Sequence, residues 1–160
     1  MSTKHEIKYL FTDVDGVLTD AGVYYSSKGE ELKKFNLRDG MGAERLRKLT
    51  NIQIGIITGE NSEIVSRRAE KLKIDIVFLG IKDKLSVLLK FLEENQMKWN
   101  QIAYIGDDLN DLEVMKKVGI AACPADSAKE IIEISTMICT KKGGDGAFRE
   151  FCEYLISNYS

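Results

Sequence analysis

The chain has 160 residues, 44% of them hydrophobic and 30% charged, with a formal net charge of −2 at pH 7. That length suits a single domain, residues 1-160, with a hydrophobic core of its own, and that balance excludes a disordered or fibrous chain. No basic stripe stands out and no apolar run reaches membrane-spanning length, so neither a general nucleic-acid binder nor a membrane protein is expected.

The first strand-like run, Ile7–Thr12, ends abruptly in Asp13-Val14-Asp15-Gly16. Such an ending sets two carboxylates beyond the carboxyl end of a buried strand, where open α/β sheets build their sites. Gly16 permits the sharp turn. Acids spaced one residue apart can divide labour as nucleophile and proton donor, or can jointly hold a hard cation; they can also be an acidic turn or an N-cap. Gly22–Tyr25 and Glu30–Phe35 then flank a turn at Lys28-Gly29 and predict a β-hairpin, either a flap over the site or an edge that pairs between subunits. The charge run from Glu30 to Lys34 reads as a solvated face.

A helix at about Gly40–Leu49 leads to a second strand, Gln53–Thr58, that ends in a hydroxyl and Gly59, a pairing suited to a phosphate oxygen. Asn61–Leu72 carries Ile64, Val65, Ala69 and Leu72 at helical spacing, and a strand follows at Asp75–Leu79. Leu85, Leu88, Leu89 and Leu92 predict a helix over Asp83–Asn95, with Lys84 at its start as a fixed positive charge. Ile102–Ile105 runs into Gly106-Asp107-Asp108-Leu109-Asn110-Asp111, a cluster of acids that can serve a cation or cap a helix. Gly119–Ala122 and, more weakly, Met137–Cys139 complete the strands. Ser127-Ala128-Lys129-Glu130 has the capping-box pattern, and Gly143–Glu150 reads as a flexible glycine stretch entering a last helix. The alternation predicts an α/β fold, a doubly wound, mostly parallel sheet with helices on both faces and one inserted hairpin.

Cys123, Cys139 and Cys152 form no C-x-x-C pair and read as reduced core thiols; with no leader pattern at the N-terminus, a cytoplasmic location is expected. His5, the only histidine, lies near a terminus. Chemistry therefore falls on the carboxylates.

Strand with D-x-D-G, strand with Thr, Lys, then strand with G-D-D-x-x-D resembles, in that order, the four-motif signature of the haloacid dehalogenase superfamily of phosphohydrolases. The resemblance covers nearly the whole chain and implies a Rossmann-like fold. Asp13 would attack phosphorus and become a transient aspartyl-phosphate, and Asp15 would protonate the leaving oxygen and then activate water. Magnesium (Mg2+) would neutralise the pair, held by Asp13, the Asp15 carbonyl and Asp107. Asp108 and Asp111 would orient metal waters and Lys84, while Thr58 and Lys84 would grip the phosphate. About 40 residues separate Asp15 from Thr58 and about 20 separate Lys84 from Gly106, so no cap domain fits at either point.

Within that superfamily, D-V-D-G-V-L-T-D, K-K-F-N-L-R-D-G, I-T-G-E, G-D-D-L-N-D and K-K-G-G-D-G-A-F-R-E-F look like the small tetrameric phosphatases of 3-deoxy-2-ulosonic acid phosphates. This implies a homotetramer whose hairpins, Val23–Phe35, pair between subunits, with a neighbour covering each site. It also implies that the glycine tail can close over an active site. Asn36–Gly40 matches the enzymes acting on 3-deoxy-D-manno-octulosonate 8-phosphate. Glu60, Arg68 and Lys71 look more like the branch acting on 2-keto-3-deoxynononate 9-phosphate. Those three side chains are either substrate contacts, reaching into a neighbour's site, or a solvated helix face. Two rivals come from other classes. A phospho-receiver domain carries the same residue types in a different order. A catalytically idle assembly domain of a sugar-nucleotide synthase would not need Asp13, Asp15, Thr58, Lys84 and Asp107 all in place.

Overall fold

The structure, a computed structural model, describes residues 5–159. Along the chain run β1 (Tyr9–Thr12), β2 (Thr19–Ser26), β3 (Gly29–Phe35), α1 (Leu37–Leu49), β4 (Gln53–Ile57), α2 (Glu63–Leu72) and β5 (Ile76–Phe78). They are followed by α3 (Lys84–Glu94), β6 (Ile102–Ile105), α4 (Leu112–Met115), β7 (Ile120–Cys123), α5 (Lys129–Ile134), β8 (Met137–Ile138) and α6 (Ala147–Tyr159). Six strands form one parallel sheet in the order β5-β4-β1-β6-β7-β8, and β2 and β3 pair as a separate antiparallel ribbon. The chain is the doubly wound α/β fold with an inserted hairpin that its alternation predicts, and no cap domain occurs among the described residues.

Burial on both faces explains why the strands read as continuous apolar runs. In β1, Leu10 points into a core with Ala43 and Leu46 of α1, Val65 of α2 and Phe148 and Phe151 of α6. Phe11 points to the opposite core, with Leu88, Phe91 and Leu92 of α3 and Tyr104 of β6. The Phe91 ring stands edge-on to Tyr9 and Phe11, with centroids 5.1 and 5.2 Å apart. Burying a side chain of this size contributes ~1.5–3 kcal/mol, and both layers brace the same central strand.

Topology then fixes the site. β1 lies between β4 and β6, so the chain leaving all three strands emerges on one rim: Asp13 after β1, Thr58 after β4, Gly106 and Asp107 after β6. Strands that reverse their winding direction at this point open a crevice there.

Three local expectations are corrected. The first helix begins at Leu37 rather than near Gly40, because the Asn36 side chain accepts the Arg38 N–H and caps it. The Ser127–Glu130 capping box does not form: the Ser127 hydroxyl donates to the Pro124 carbonyl, and α5 starts at Lys129 without a side-chain cap. The Gly143-Gly144 stretch is docked onto the loop after β1. Gly144 N–H donates to the Val17 carbonyl at 2.9 Å, and Gly143 N–H donates to Asp126 at 3.0 Å. A Cβ on Gly143 would stand 1.8 Å from the Gly16 carbonyl oxygen, so glycine is required for the tail to brace the acidic loop.

Candidate active site

Asp13 is 4% exposed at the end of β1, its amide donating to the Ile105 carbonyl across the sheet. Its Oδ1 accepts the Val14 N–H at 2.8 Å and faces the Lys84 ammonium at 3.1 Å. Lys84 is the first residue of α3, a helix capped by Asp83, which accepts the Ser86 N–H. The same ammonium donates to Asp111 Oδ1 at 2.7 Å. Burial alone would lower the Lys84 pKa, but Asp13 and Asp111 outweigh it and hold it above the ordinary lysine value.

Asp111, fully buried, organises the rim. Its Oδ1 also accepts the Tyr104 hydroxyl at 2.5 Å, and its Oδ2 accepts the Asp107 and Asp108 N–H groups at 3.0 and 3.4 Å. One carboxylate thus ties together the cation on α3, a tyrosine on β6 and the loop that carries Asp107. Burial first, then Asp111 and Asp13, push the Tyr104 phenol well above its usual range, so it remains a donor.

Asp13, Asp107 and Asp111 each offer an oxygen, and these oxygens lie within 4.8 Å of one another. Burial, reinforced by Asp111 and Asp107 and opposed by Lys84, raises the Asp13 pKa well above the carboxylate range. Asp107 is pushed up to about 7, chiefly by burial and then by Asp111. Gly16, at φ +84°, clears the space: a Cβ there would stand 1.8 Å from Asp107 Oδ2. Thr58 is buried, its hydroxyl oxygen accepting the Glu60 N–H at 3.2 Å. A cavity of about 220 Å³ opens between these groups, lined by Asp13, Asp15, Thr58, Glu60, Asp107 and Asp108. A roomier concavity, of about 360 Å³, lies at the amino ends of β4 and β5, on the opposite rim from the acid pair.

The structure therefore brings together Asp13, Asp15, Thr58, Lys84, Asp107 and Asp111, with exposed Asp108 capping the turn after β6 and Glu60 at the rim. Arg68 and Lys71 do not join this cavity within one chain. Arg68 donates to the Asn36 carbonyl at 3.1 Å and covers the Phe35 ring at 5.3 Å, while Lys71 is exposed on α2. Two residues at the site escaped the sequence reading. Tyr104 looked like strand filler, although a buried tyrosine needs a hydroxyl partner and Asp111 follows seven positions on, in the loop after the same strand. Lys33 looked like part of a solvated charge run, yet its side chain is 2% exposed and donates to Asp15 Oδ1 at 2.7 Å. The three cysteines are buried and unpaired, burial pushing the Cys139 thiol up to about 12 and the Cys152 thiol well above its normal value.

A parallel sheet with a buried acid, a lysine and a second acidic loop at one rim defines a haloacid dehalogenase-type hydrolase. The model of the haloacid dehalogenase-like hydrolases matches residues 43–151, and the chain belongs to that family. Among curated relatives it is 39% identical, over 98% of this chain and 82% of the relative, to the 3-deoxy-D-manno-octulosonate 8-phosphate phosphatase KdsC of Salmonella typhi. Among solved structures, a probable YrbI family phosphatase from Pseudomonas syringae superposes with TM-score 0.93 at 44% identity, covering 96% of this chain and 87% of that one. The 3-deoxy-D-manno-octulosonate 8-phosphate phosphatase of Moraxella catarrhalis, solved with magnesium, phosphate and KDO, superposes with TM-score 0.90 at 37% identity, covering 96% and 89%.

Proposed function

We propose that this chain is a magnesium-dependent phosphatase that hydrolyses 3-deoxy-D-manno-octulosonate 8-phosphate through a phosphorylated Asp13, acting as one capless catalytic domain. The observation that carries this reading is the buried Asp13 carboxylate, gripped by Lys84 beside Asp107. The names of the relatives and the ligands of the Moraxella neighbour support the substrate.

The residues present fit a hard divalent cation. Two carboxyls that burial and neighbouring charge hold toward their neutral forms face one another, and the glycine beside them leaves room where a side chain would intrude. Asp13, Asp107 and the Asp15 carbonyl would hold it, and when bound it supplies charge neutralisation for the phosphate. Asp111 is already saturated by Lys84, Tyr104 and two backbone amides, so its work is to orient Lys84 and the Asp107 loop.

Asp13 attacks phosphorus as the sugar oxygen departs, and that oxygen takes the Asp15 proton. Asp15 then removes a proton from the water that cleaves the Asp13–phosphate bond. Lys84 and Thr58 hold the phosphate oxygens.

The exposed apolar side chains on the ribbon, Tyr24, Tyr25 and Leu32 at 64%, 70% and 60%, support assembly into a homotetramer in which a neighbour covers the crevice. In that assembly Arg68 and Lys71 would reach substrate across the interface. Phosphate release from the eight-carbon ester, with the nine-carbon 2-keto-3-deoxynononate 9-phosphate and mannose 6-phosphate alongside, tests the reading. Magnesium-dependent turnover, fastest on the eight-carbon ester, supports it. Preference for the nine-carbon ester reassigns the substrate. No turnover of any ester favours an idle assembly domain.

A further inference from the structure

The hairpin ribbon is built inside out. Its apolar side chains Tyr24, Tyr25 and Leu32 face solvent, while the side chain of Lys33, between exposed Leu32 and Lys34, is 2% exposed. A lysine is rarely covered unless it is paired. Here the ammonium meets Asp15 Oδ1 at 2.7 Å and Glu30 Oε1 at 2.8 Å. The pairing crosses from the ribbon to the loop after β1, and Ala21, at φ 67° on the near strand, lines the same cavity as Asp15.

We propose that Lys33 is a positioning residue for the proton-transfer step: it fixes the Asp15 carboxyl so that the oxygen it does not bind faces the departing sugar oxygen. This rests on the phosphatase reading above. In the step concerned, the Asp13–phosphorus bond forms as the bond from phosphorus to the sugar oxygen breaks, and the Asp15 proton moves to that oxygen. Asp15 is only loosely covered, its side chain 27% exposed, and it has no other side-chain donor among the described contacts. Without Lys33 the carboxyl would sample other rotamers, and a proton donor out of place gives up much of its contribution. Glu30 holds the lysine in turn, so the ribbon delivers a rigid Glu30–Lys33–Asp15 relay rather than a loose flap.

The test compares two esters in magnesium. A sugar alkoxide needs a proton to leave, whereas p-nitrophenolate is a stable anion and leaves without one. On kcat/KM, which counts only steps through release of the alcohol, Lys33→Met should lower the sugar ester about 100-fold and the p-nitrophenyl ester by no more than about threefold. The sugar loss should sit in kcat, with KM within about threefold of wild type. Lys33→Arg, which keeps the charge and the donors, should recover most of the sugar activity. Equal losses on both esters in both variants would make Lys33 a structural clamp and overturn the proposal. A rise in KM with kcat intact would make it a substrate contact and overturn it equally. A wild type that turns over neither ester defeats the phosphatase reading, and the role of Lys33 with it.

Discussion

Replacing Asp111 by Asn changes one atom in the most heavily used carboxylate of the site. Its Oδ1 accepts from Lys84 and Tyr104, and its Oδ2 accepts from the Asp107 and Asp108 amides, all with Asp111 fully buried. An asparagine keeps one acceptor oxygen and turns the other into a donor aimed at donors. It also leaves the Lys84 ammonium, 1% exposed, with Asp13 as its remaining ion-pair partner. Breaking a buried ion pair from one side destabilises by about 3–5 kcal/mol. At ~2–4 °C per kcal/mol for a chain of this size, Tm should fall by about 10 °C. Tyr104→Phe is the control, removing one donor and about 1.5 kcal/mol. Thermal and urea melts of both variants without added metal make the comparison. An Asp111→Asn protein no less stable than Tyr104→Phe would refute the view that Asp111 is the keystone of the rim.

Asp39 supplies a pH prediction. Its Oδ1 accepts the Arg149 N–H at 3.0 Å while its Oδ2 is buried without a partner, and burial, opposed by that amide and by Arg68, raises its pKa from 3.8 to about 6. Between those values the folded state binds more protons than the unfolded one, so stability falls as pH rises from about 4 to about 6 and stays lower above. The cost is at most about 3 kcal/mol, and Asp39→Asn, compared with wild type by urea melts across pH 4 to 7, should remove this part of the slope; an unchanged difference would refute it. For the ribbon, Tyr25→Lys with Leu32→Lys should turn the proposed tetramer into smaller species by light scattering and lower sugar-ester turnover. A wild type that is a fully active monomer would contradict the neighbour-as-cover argument.

Much of this was legible in the sequence because parallel strands buried on both faces are short apolar runs, and their ends are marked by the first acid or glycine. Asp13, Thr58 and Asp107 follow directly from those endings, and Lys84 from the start of a Leu-rich helix. What local pattern could not carry is long-range. The inward turn of Lys33 depends on Asp15, eighteen positions away. The docking of Gly143 depends on the Gly16 carbonyl, and the capture of Ser127 by Pro124 overrode a capping box that read well on its own. Arg68 shows the same limit. Its charge suggested a substrate contact in a neighbour's site; that it also braces the start of α1 within its own chain, through Asn36 and Phe35, was not legible locally.

The central claim is that Asp13 carries the phosphate. Acid quench of the enzyme during turnover of the eight-carbon ester in magnesium, followed by borohydride reduction and peptide mass spectrometry, tests it most directly. The account predicts conversion of Asp13 alone to homoserine, absent in Asp13→Asn, which should also lose turnover while remaining folded. A fully active Asp13→Asn protein, or reduction at Asp15 or Asp107 instead, would contradict it.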